Sequence, residues 1–461
     1  MGVVVDNLSN SPPFWEYHQS IIVRHGDRVY VTIMETLEAG FSSFQKQWTL
    51  YERTEDGWQK RYSSLPNQRL NQPPLLLADR QNTLHVFAWP EGVLTHFMFD
   101  MTEGLFNPAV GSPEPGFTEF WPWLGGSINA SGDILTVIVT AGDPRLHYLF
   151  REATTQAWTP GTVLTFPDRL ESPTGFDRHT FPFVIMNGRE VHIFSAQDIE
   201  DPVKIAEGAS YTFSSRRLDY YYSPDILKEP FQTVPVANIE NTRGWLHNDD
   251  MLLDRSGTIH ILYWIQRIQS DFDTNLAQMH AFGPPGGPLT HVEIGRPGQF
   301  TEGRLWEAPD STLYVVLPRW EDLYLAPLDK DGGLAKPAEA LGIAPGLWGT
   351  LFAGQRIFLA PARASVGGAP VLEGLYRTPL EPGKIEVRYF RVDFPNLTMT
   401  SLVGDFDNNG KVDFADFLGF ASHFGRMRGA SNFDSGFDLN NDGQVNFPDF
   451  LSFASHFGQS K

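Results

Sequence analysis

The chain has 461 residues, with 35 Lys and Arg against 55 Asp and Glu, and a formal net charge of −20 with histidine neutral. No basic patch stands out, which argues against a nucleic-acid partner, and the absence of cysteine excludes disulfides, zinc–thiolate sites and cysteine nucleophiles. No apolar run approaches the roughly 20 residues needed to span a bilayer, while 12 Trp, 35 Phe, 34 Pro and 42 Gly suit a turn-rich β protein.

The chain opens with MGVVVDNLSNSPPFWEY, which has neither a basic n-region nor a long apolar h-region. Within it, VVVDNL (3–8) reads as a strand that closes a ring against the last repeat. From there to residue 394, long helical periods are hard to find and short alternating strands dominate. One phrase recurs: a polar turn, then an apolar strand with an aromatic or His in its second place. Its copies are HGDRVYV (25–31), DRQNTLHV (79–86), ASGDILTV (130–137), NGREVHI (187–193), DRSGTIHI (254–261), PDSTLYV (309–315) and GQRIFL (354–359).

Each copy is followed by a second strand phrase: QWTLYE (47–52), LTHFMF (94–99), LHYLF (146–150), LDYYYS (218–223), LAQMHAF (276–282), LYLAPL (323–328) and LYRTPL (375–380). With a strand before the marker and another after the second phrase, each repeat holds four strands. One such sheet cannot bury both faces alone, whereas stacking sheets around an axis covers them. The expected fold class is therefore mostly β, a seven-bladed β-propeller over residues 1–394. Two β-sandwiches in tandem are the alternative, but they give no reason for seven phrase pairs in step. The longest insertion within a blade, between His192 and Leu218, is expected to form a loop over one face.

Side chains just before each inner strand line one mouth of the central channel. Reading back from the markers gives His18, Asn71, Gln72, Trp121, Trp123, Arg178, His179, Arg243, Trp245, His247, Asn248, Glu302, Arg304 and Trp348, with Trp306 close by. Trp faces stack on sugar rings, and Arg holds a carboxylate or sulfate through two parallel bonds. The expected saccharide-binding set is His18, Gln72, Trp121, Trp123, Arg178, Trp245, Trp306 and Trp348. His247 or His179 could remove a proton α to a carboxylate while Arg243 neutralises that carboxylate and Tyr221 protonates the leaving oxygen. The alternative is structural, since Trp and His at blade ends often only cap the channel. No Ser-His-Asp order, phosphate loop or two-carboxylate spacing can be isolated.

On this strand phrasing the chain resembles the sialidase-like (BNR-repeat) propellers of secreted bacterial proteins. HNDDMLLDRSGTIHILYW (247–264) resembles the blade starts of propeller polysaccharide lyases such as the ulvan lyases. The Asp-box S-x-D-x-G-x-x-W of sialidases is missing, which speaks against sialidase activity.

PNLTMTSLV (395–403) reads as a linker. Beyond it, DFDNNGKVDFADFLGFASHFG (405–425) is rewritten as DLNNDGQVNFPDFLSFASHFG (438–458). Asp405, Asp407, Asn409, Asp413 and Asp416, and Asp438, Asn440, Asp442, Asn446 and Asp449, occupy positions 1, 3, 5, 9 and 12 of a Ca²⁺ loop, with Gly410 and Gly443 at position 6. A hard cation needs six to eight oxygens, and a tight loop turns every second side chain inward. Lys411 and Gln444, at position 7, contribute only a carbonyl. Apolar stripes at helical spacing follow: Phe417, Phe420, Ala421 and Phe424, then Phe450, Phe453, Ala454 and Phe457. Two Ca²⁺ sites are expected, and in a module this small the metal supplies much of the folding energy.

Residues 402–461 are similar to type I dockerins, in which each calcium loop has a single trailing helix. That resemblance implies a calcium-folded domain (404–461), extracellular or cell-surface use, and docking onto a cohesin-like domain of a scaffold or surface protein. Loop positions 10 and 11, which help choose the partner in that family, are Phe414-Ala415 and Phe447-Pro448 here. The calcium loops favour an exported chain whose signal peptide is not part of this sequence. The leading expectation is a secreted bacterial protein that degrades or binds a polysaccharide. The alternative is a non-catalytic carbohydrate-binding or protein-interaction propeller tethered by the same tail. An enzyme, lyase or hydrolase, requires His and Arg to converge on a pocket; a binding module requires an aromatic strip; a protein platform requires a flat face.

Overall fold

The computed structural model describes residues 2–10, 18–36, 46–66, 70, 72–107, 123–139, 145–163, 177–209, 212–239, 244–268, 274–295, 303–318, 322–343, 357–360, 371–381, 384–394, 404–406, 411–427, 437, 439 and 444–460. Seven four-stranded antiparallel sheets form a seven-bladed propeller. Blades 1 to 6 are contiguous in the chain, at 22–63, 75–107, 123–162, 177–238, 245–295 and 304–340. In each, the marker phrase is the second strand and the following phrase the third. Blade 7 combines Ile357–Leu359, Leu372–Glu381 and Lys384–Asp393 with Gly2–Asn10, which pairs antiparallel along Lys384–Asp393. The N-terminal strand thus supplies the outer edge of the last blade. Its seventh marker falls on Ile357–Leu359, and residues 354–356 lie outside the described ones.

Burial follows position within the blade. In blade 3 the strands Trp123–Ile128 and Ile134–Val139 are buried along their whole length, because neighbouring sheets cover both faces. The outer strand of blade 4, Gln232–Asn238, has most of its residues partly or fully exposed. Close packing of inner strands explains Gly125 and Gly126. A Cβ on Gly125 would lie 2.0 Å from the Pro182 carbonyl oxygen of blade 4, and one on Gly126 would lie 2.5 Å from Leu75 Cδ2 of blade 2.

Polar ties cross the seams. Asn129 Nδ2 donates to the Gly188 carbonyl at 2.7 Å, and Arg255 donates to the Ala308 carbonyl at 2.8 Å. Arg24 of blade 1 forms a two-point ion pair with Glu373 of blade 7, both contacts 2.6 Å. Among the described residues, no helix is long and apolar enough to cross a membrane.

The insertion in blade 4 lengthens its strands to Glu190–Glu200 and Phe213–Ser223 and adds a short helix, α1 (Pro202–Ala206). Asp201 caps α1 by accepting from Val203 N, and it also pairs with Arg216 at 2.5 Å.

The C-terminal segment holds α2 (Phe414–His423) and α3 (Phe447–His456). Phe420 and Phe453 stack at 5.7 Å with planes 6° apart, over a core of Phe420, Phe437 and Val445. Backbone bonds are reciprocal. Val412 N donates to Gln459 O and Gly458 N to Val412 O; Val445 N donates to Arg426 O and Gly425 N to Val445 O. The second set is the first with each residue exchanged for its equivalent 33 positions away in the other half, so each half-unit ties the other down about a pseudo-twofold axis.

Candidate functional site

The inner strand of blade 4 (Asp177–Asn187) breaks register between Thr180 and Phe183. At that bulge Phe181 adopts φ 54°, a left-handed conformation that costs a bulky side chain free energy. Its ring lies 5.5 Å from His18, 6.0 Å from Trp123 and 6.4 Å from His247, so it joins blades 1, 3 and 5 around one point. Asn248 Nδ2 donates to the Phe181 carbonyl at 2.7 Å and holds the bulge in place.

His247 is half-buried and stacks on Trp264 at 5.2 Å, planes 7° apart. Its Nδ1 is 2.7 Å from Asp249 Oδ1, while Asp249 Oδ2 accepts from Gln278 Nε2 at 2.8 Å. Burial pushes the Asp249 carboxyl above its ordinary range, against the opposing pull of His247. The Asp249 carboxylate thus fixes the orientation of the imidazole through Nδ1. Arg304 donates to the Asp249 and Ile357 carbonyls, at 2.7 and 2.9 Å, and so braces blade 5 against blade 7.

Beside this dyad runs a ladder of alternating cations and rings from blades 3, 4 and 5. The Arg178 guanidinium lies 4.7 Å from the Trp123 ring centre and 3.9 Å from that of Phe213. Lys204, on α1, donates to the Phe213 carbonyl at 2.6 Å and sits 4.4 Å over Trp245. Asp198 lies below, 3.4 Å from Arg178. Burial raises its carboxyl, against the pull of Arg178, Lys204 and His247. The mouth between blades 3 and 5 therefore combines a His–Asp pair, two cations and five aromatic rings.

The other expected residues are placed as follows. Gln72 is buried and accepts from Gln19 Nε2 at 2.7 Å, and His18 is buried against Phe181 and Phe183. His179 and Tyr221 lie fully buried inside blade 4, their rings 6.0 Å apart. His179 Nδ1 is 3.1 Å from Ser195 Oγ; burial lowers this histidine to about 3 and raises the Tyr221 phenol well above its usual range. Trp306 is only 4% exposed and stacks on Phe394 at 5.2 Å in the core shared by blades 6 and 7, away from the ladder. Asn71, Trp121, Arg243, Glu302 and Trp348 lie outside the described residues.

Phe181, Lys204, Phe213 and Trp264 were not singled out from sequence. For Phe181 a signal existed: Pro182 inside a strand pattern marks a bulge or an edge. Lys204 and Phe213 sit in an insertion without repeat pattern, so nothing in the sequence placed them.

In the C-terminal segment, Asp416 and Asp449 are almost wholly buried, as is Asp405. Asp416 accepts from Phe406 N at 2.6 Å and from Asp413 N at 2.9 Å. Asp449 accepts from Asn446 N at 2.8 Å in the same way. Lys411 and Gln444 form isolated bridges to Ser460 and Met427. The donor set is all oxygen, the chemistry a hard cation requires. Asp407, Asn409, Asp438, Asn440 and Asp442 lie outside the described residues, and among the described ones no group of three or more His, Asp or Glu could hold a metal ion.

No family model matches the chain, and no curated protein matches it. Solved structures do. One is a PL25 ulvan lyase, a polysaccharide lyase, bound to -[GlcA(1-4)Rha3S]-; it is 10% identical, with a TM-score of 0.54 over 82% of this chain and 93% of its own. Another structure of a PL25 ulvan lyase gives 11% identity and a TM-score of 0.53 over the same shares. At this identity the likeness is one of propeller fold.

Proposed function

We propose that this chain is an extracellular, polysaccharide-active propeller whose C-terminal segment is a calcium-ordered docking module. The observation that carries the first half is the His247–Asp249 pair set beside the Trp123–Arg178–Phe213–Lys204–Trp245 ladder. Rings and cations in alternation suit a saccharide that presents C–H faces and acidic groups together. The propeller fold shared with polysaccharide lyases supports the same reading.

Within it, His247 Nε2 is the base that takes a proton α to a uronate carboxylate; as the C=C bond forms, the bond to the leaving oxygen breaks and that oxygen takes its proton from solvent water. Arg178 or Arg243 neutralises that carboxylate and so makes the α-proton more acidic. The burial of His179 and Tyr221 leaves His247 as the base; those two support blade 4 from within. In a screen of acidic and neutral polysaccharides, His247→Ala should lower depolymerisation by about 10²–10⁴-fold. The readout is ultraviolet absorbance of the unsaturated product. Undiminished activity in that variant removes His247 from the mechanism. Binding without cleavage by the unaltered chain favours instead a carbohydrate-binding propeller built on the aromatic strip.

For the tail, the paired loops would hold two Ca²⁺ ions through Asp405, Asp407, Asn409, the Lys411 carbonyl, Asp413 and Asp416, and through Asp438, Asn440, Asp442, the Gln444 carbonyl, Asn446 and Asp449. The ion draws these carboxylates together and thereby orders α2 and α3. A docking role is supported by two equivalent exposed apolar pairs. Phe414 and Leu418 on α2 are 63% and 55% exposed; Phe447 and Leu451 on α3 are 59% and 54%. A cohesin-like domain is the proposed partner. Asp405→Ala is expected to weaken calcium binding and melt the tail while the propeller stays folded. Calorimetry giving the same calcium stoichiometry and affinity as the unaltered chain overturns this.

A further inference from the structure

On the outer flank of the disc, away from the channel mouth, a groove of about 460 Å³ runs between the outer strands of blade 3 and a loop of blade 4. That volume falls within the usual range for ligand sites. Tyr148 and Phe231 wall it, with ring centres 6.2 Å apart and planes 58° apart. The Tyr148 ring is laid flat across the strand: its cross-strand partner is Gly161, where a Cβ would lie 2.1 Å from the ring. Glycine at 161 is thus what lets the tyrosine lie down beside the groove.

The blade 4 side is equally fixed. Ile226 N donates to the Arg189 carbonyl at 3.0 Å, and Ser223 Oγ donates to the Glu229 carbonyl at 2.8 Å. Asp225 accepts from Leu227 N at 3.0 Å and pairs with Lys228 at 3.0 Å. A wall held by four such bonds need not be ordered again when a ligand arrives, which spares affinity.

The geometry points to a second saccharide-binding site here, one that takes the apolar face of a sugar ring and does not depend on acidic groups. Two aromatic walls over the buried side chains of Ile226 and Val163 offer a stacking surface. The groove's cation, Lys228, is already matched by Asp225, with Glu229 alongside, so the groove has no excess positive charge to select sulfate or carboxylate. The choice of sugar over other amphipathic ligands rests on the function proposed above. Such a site would hold one part of a long chain while the channel mouth engages another, and it would raise the local concentration of polymer.

The test titrates the full chain with cello-, xylo-, manno- and rhamnohexaose by calorimetry. At least one should bind saturably, and Tyr148→Ala and Phe231→Ala should each weaken that binding by about tenfold. Tyr148→Phe keeps the ring and should bind as the unaltered chain does, which separates stacking from misfolding. No binding by any hexaose, or equal binding by the alanine variants, overturns the inference. Hexaose binding at the groove without any depolymerisation would sink the catalytic reading and leave the groove standing; the reverse result would sink the groove alone.

Discussion

Replacing Arg24 with alanine is expected to cost the fold about 3–5 kcal/mol, the usual loss when one partner of a buried ion pair is removed. Glu373 is 1% exposed and takes both Arg24 contacts at 2.6 Å; the Tyr389 hydroxyl donates to the same carboxylate at 2.6 Å. Without the guanidinium a charged carboxylate is stranded between blade 1 and blade 7. This is the seam where the ring closes, and the N-terminal strand is hydrogen-bonded to that same last blade. Trp58 packs edge-on to Tyr389 at 5.5 Å, and Arg53 lies 4.8 Å from its ring centre, so the loosened carboxylate disturbs a packed aromatic group. The triple change Arg24→Met, Glu373→Leu and Tyr389→Phe removes every polar member at once and should recover most of the loss. Urea unfolding followed by tryptophan fluorescence reads both. A single-variant loss below about 1 kcal/mol would mean that the pair is solvated like a surface bridge.

The repeat phrases are legible because in blades 1 to 6 each copy places its polar turn and its alternating strand at the same point of a blade; among the described residues the seventh marker falls instead on the end strand of its sheet, Ile357–Leu359. DRQNTLHV and DRSGTIHI go further. Asp79 Oδ2 lies 3.2 Å from His85 Nε2, and His85 Nδ1 lies 3.0 Å from His96 Nε2. Asp254, His260 and His280 repeat this chain at 3.1 and 3.0 Å. The Asp–His spacing of six residues was visible in the sequence; the third member sits on the next strand and was not. The mouth residues were read as a crown of positions before inner strands, and Trp123, Arg178, Trp245 and His247 do meet there. Trp306 has the right position in its strand, but its side chain faces the space between blades, because the one-residue alternation of a strand decides the face. Phe181 and Lys204 depend on a bulge and an insertion, local departures from the repeat; Pro182 marks the first, and nothing in the repeat marks the second. The tail was legible at the level of two related half-units. The reciprocal backbone bonds from Val412 and Val445 express the same internal symmetry that the 33-residue repeat announces.

Acid is expected to unfold the propeller well before most of its carboxylates titrate. Four histidines are buried in neutral form. Burial lowers His96 to about 2, His179 and His192 to about 3, and His280 to about 4; His85 and Arg151 add to the effect on His96, and His260 to that on His280. In the unfolded chain each titrates near the ordinary value of about 6.5. A histidine depressed in this way contributes stability that is present above the unfolded value and is lost as pH falls below it. Between pH 6.5 and 4.5 the loss is about 2 kcal/mol per histidine, or about 8 for the four. Glu307 works the other way. Burial raises its carboxyl to about 7, so the fold binds that proton first and gains roughly 2 kcal/mol over the same interval. Asp198 and Asp249, also raised by burial, add to this offset. The four histidines outnumber these three carboxyls, so the net sign is expected to be destabilising. Urea midpoints measured from pH 7.5 to 5 should fall with a slope of about two protons taken up on unfolding. His192→Gln should reduce that slope by about one proton, because the amide cannot titrate. A slope that His192→Gln leaves unchanged would mean that this imidazole is already charged in the fold, against the burial that the blade seams impose.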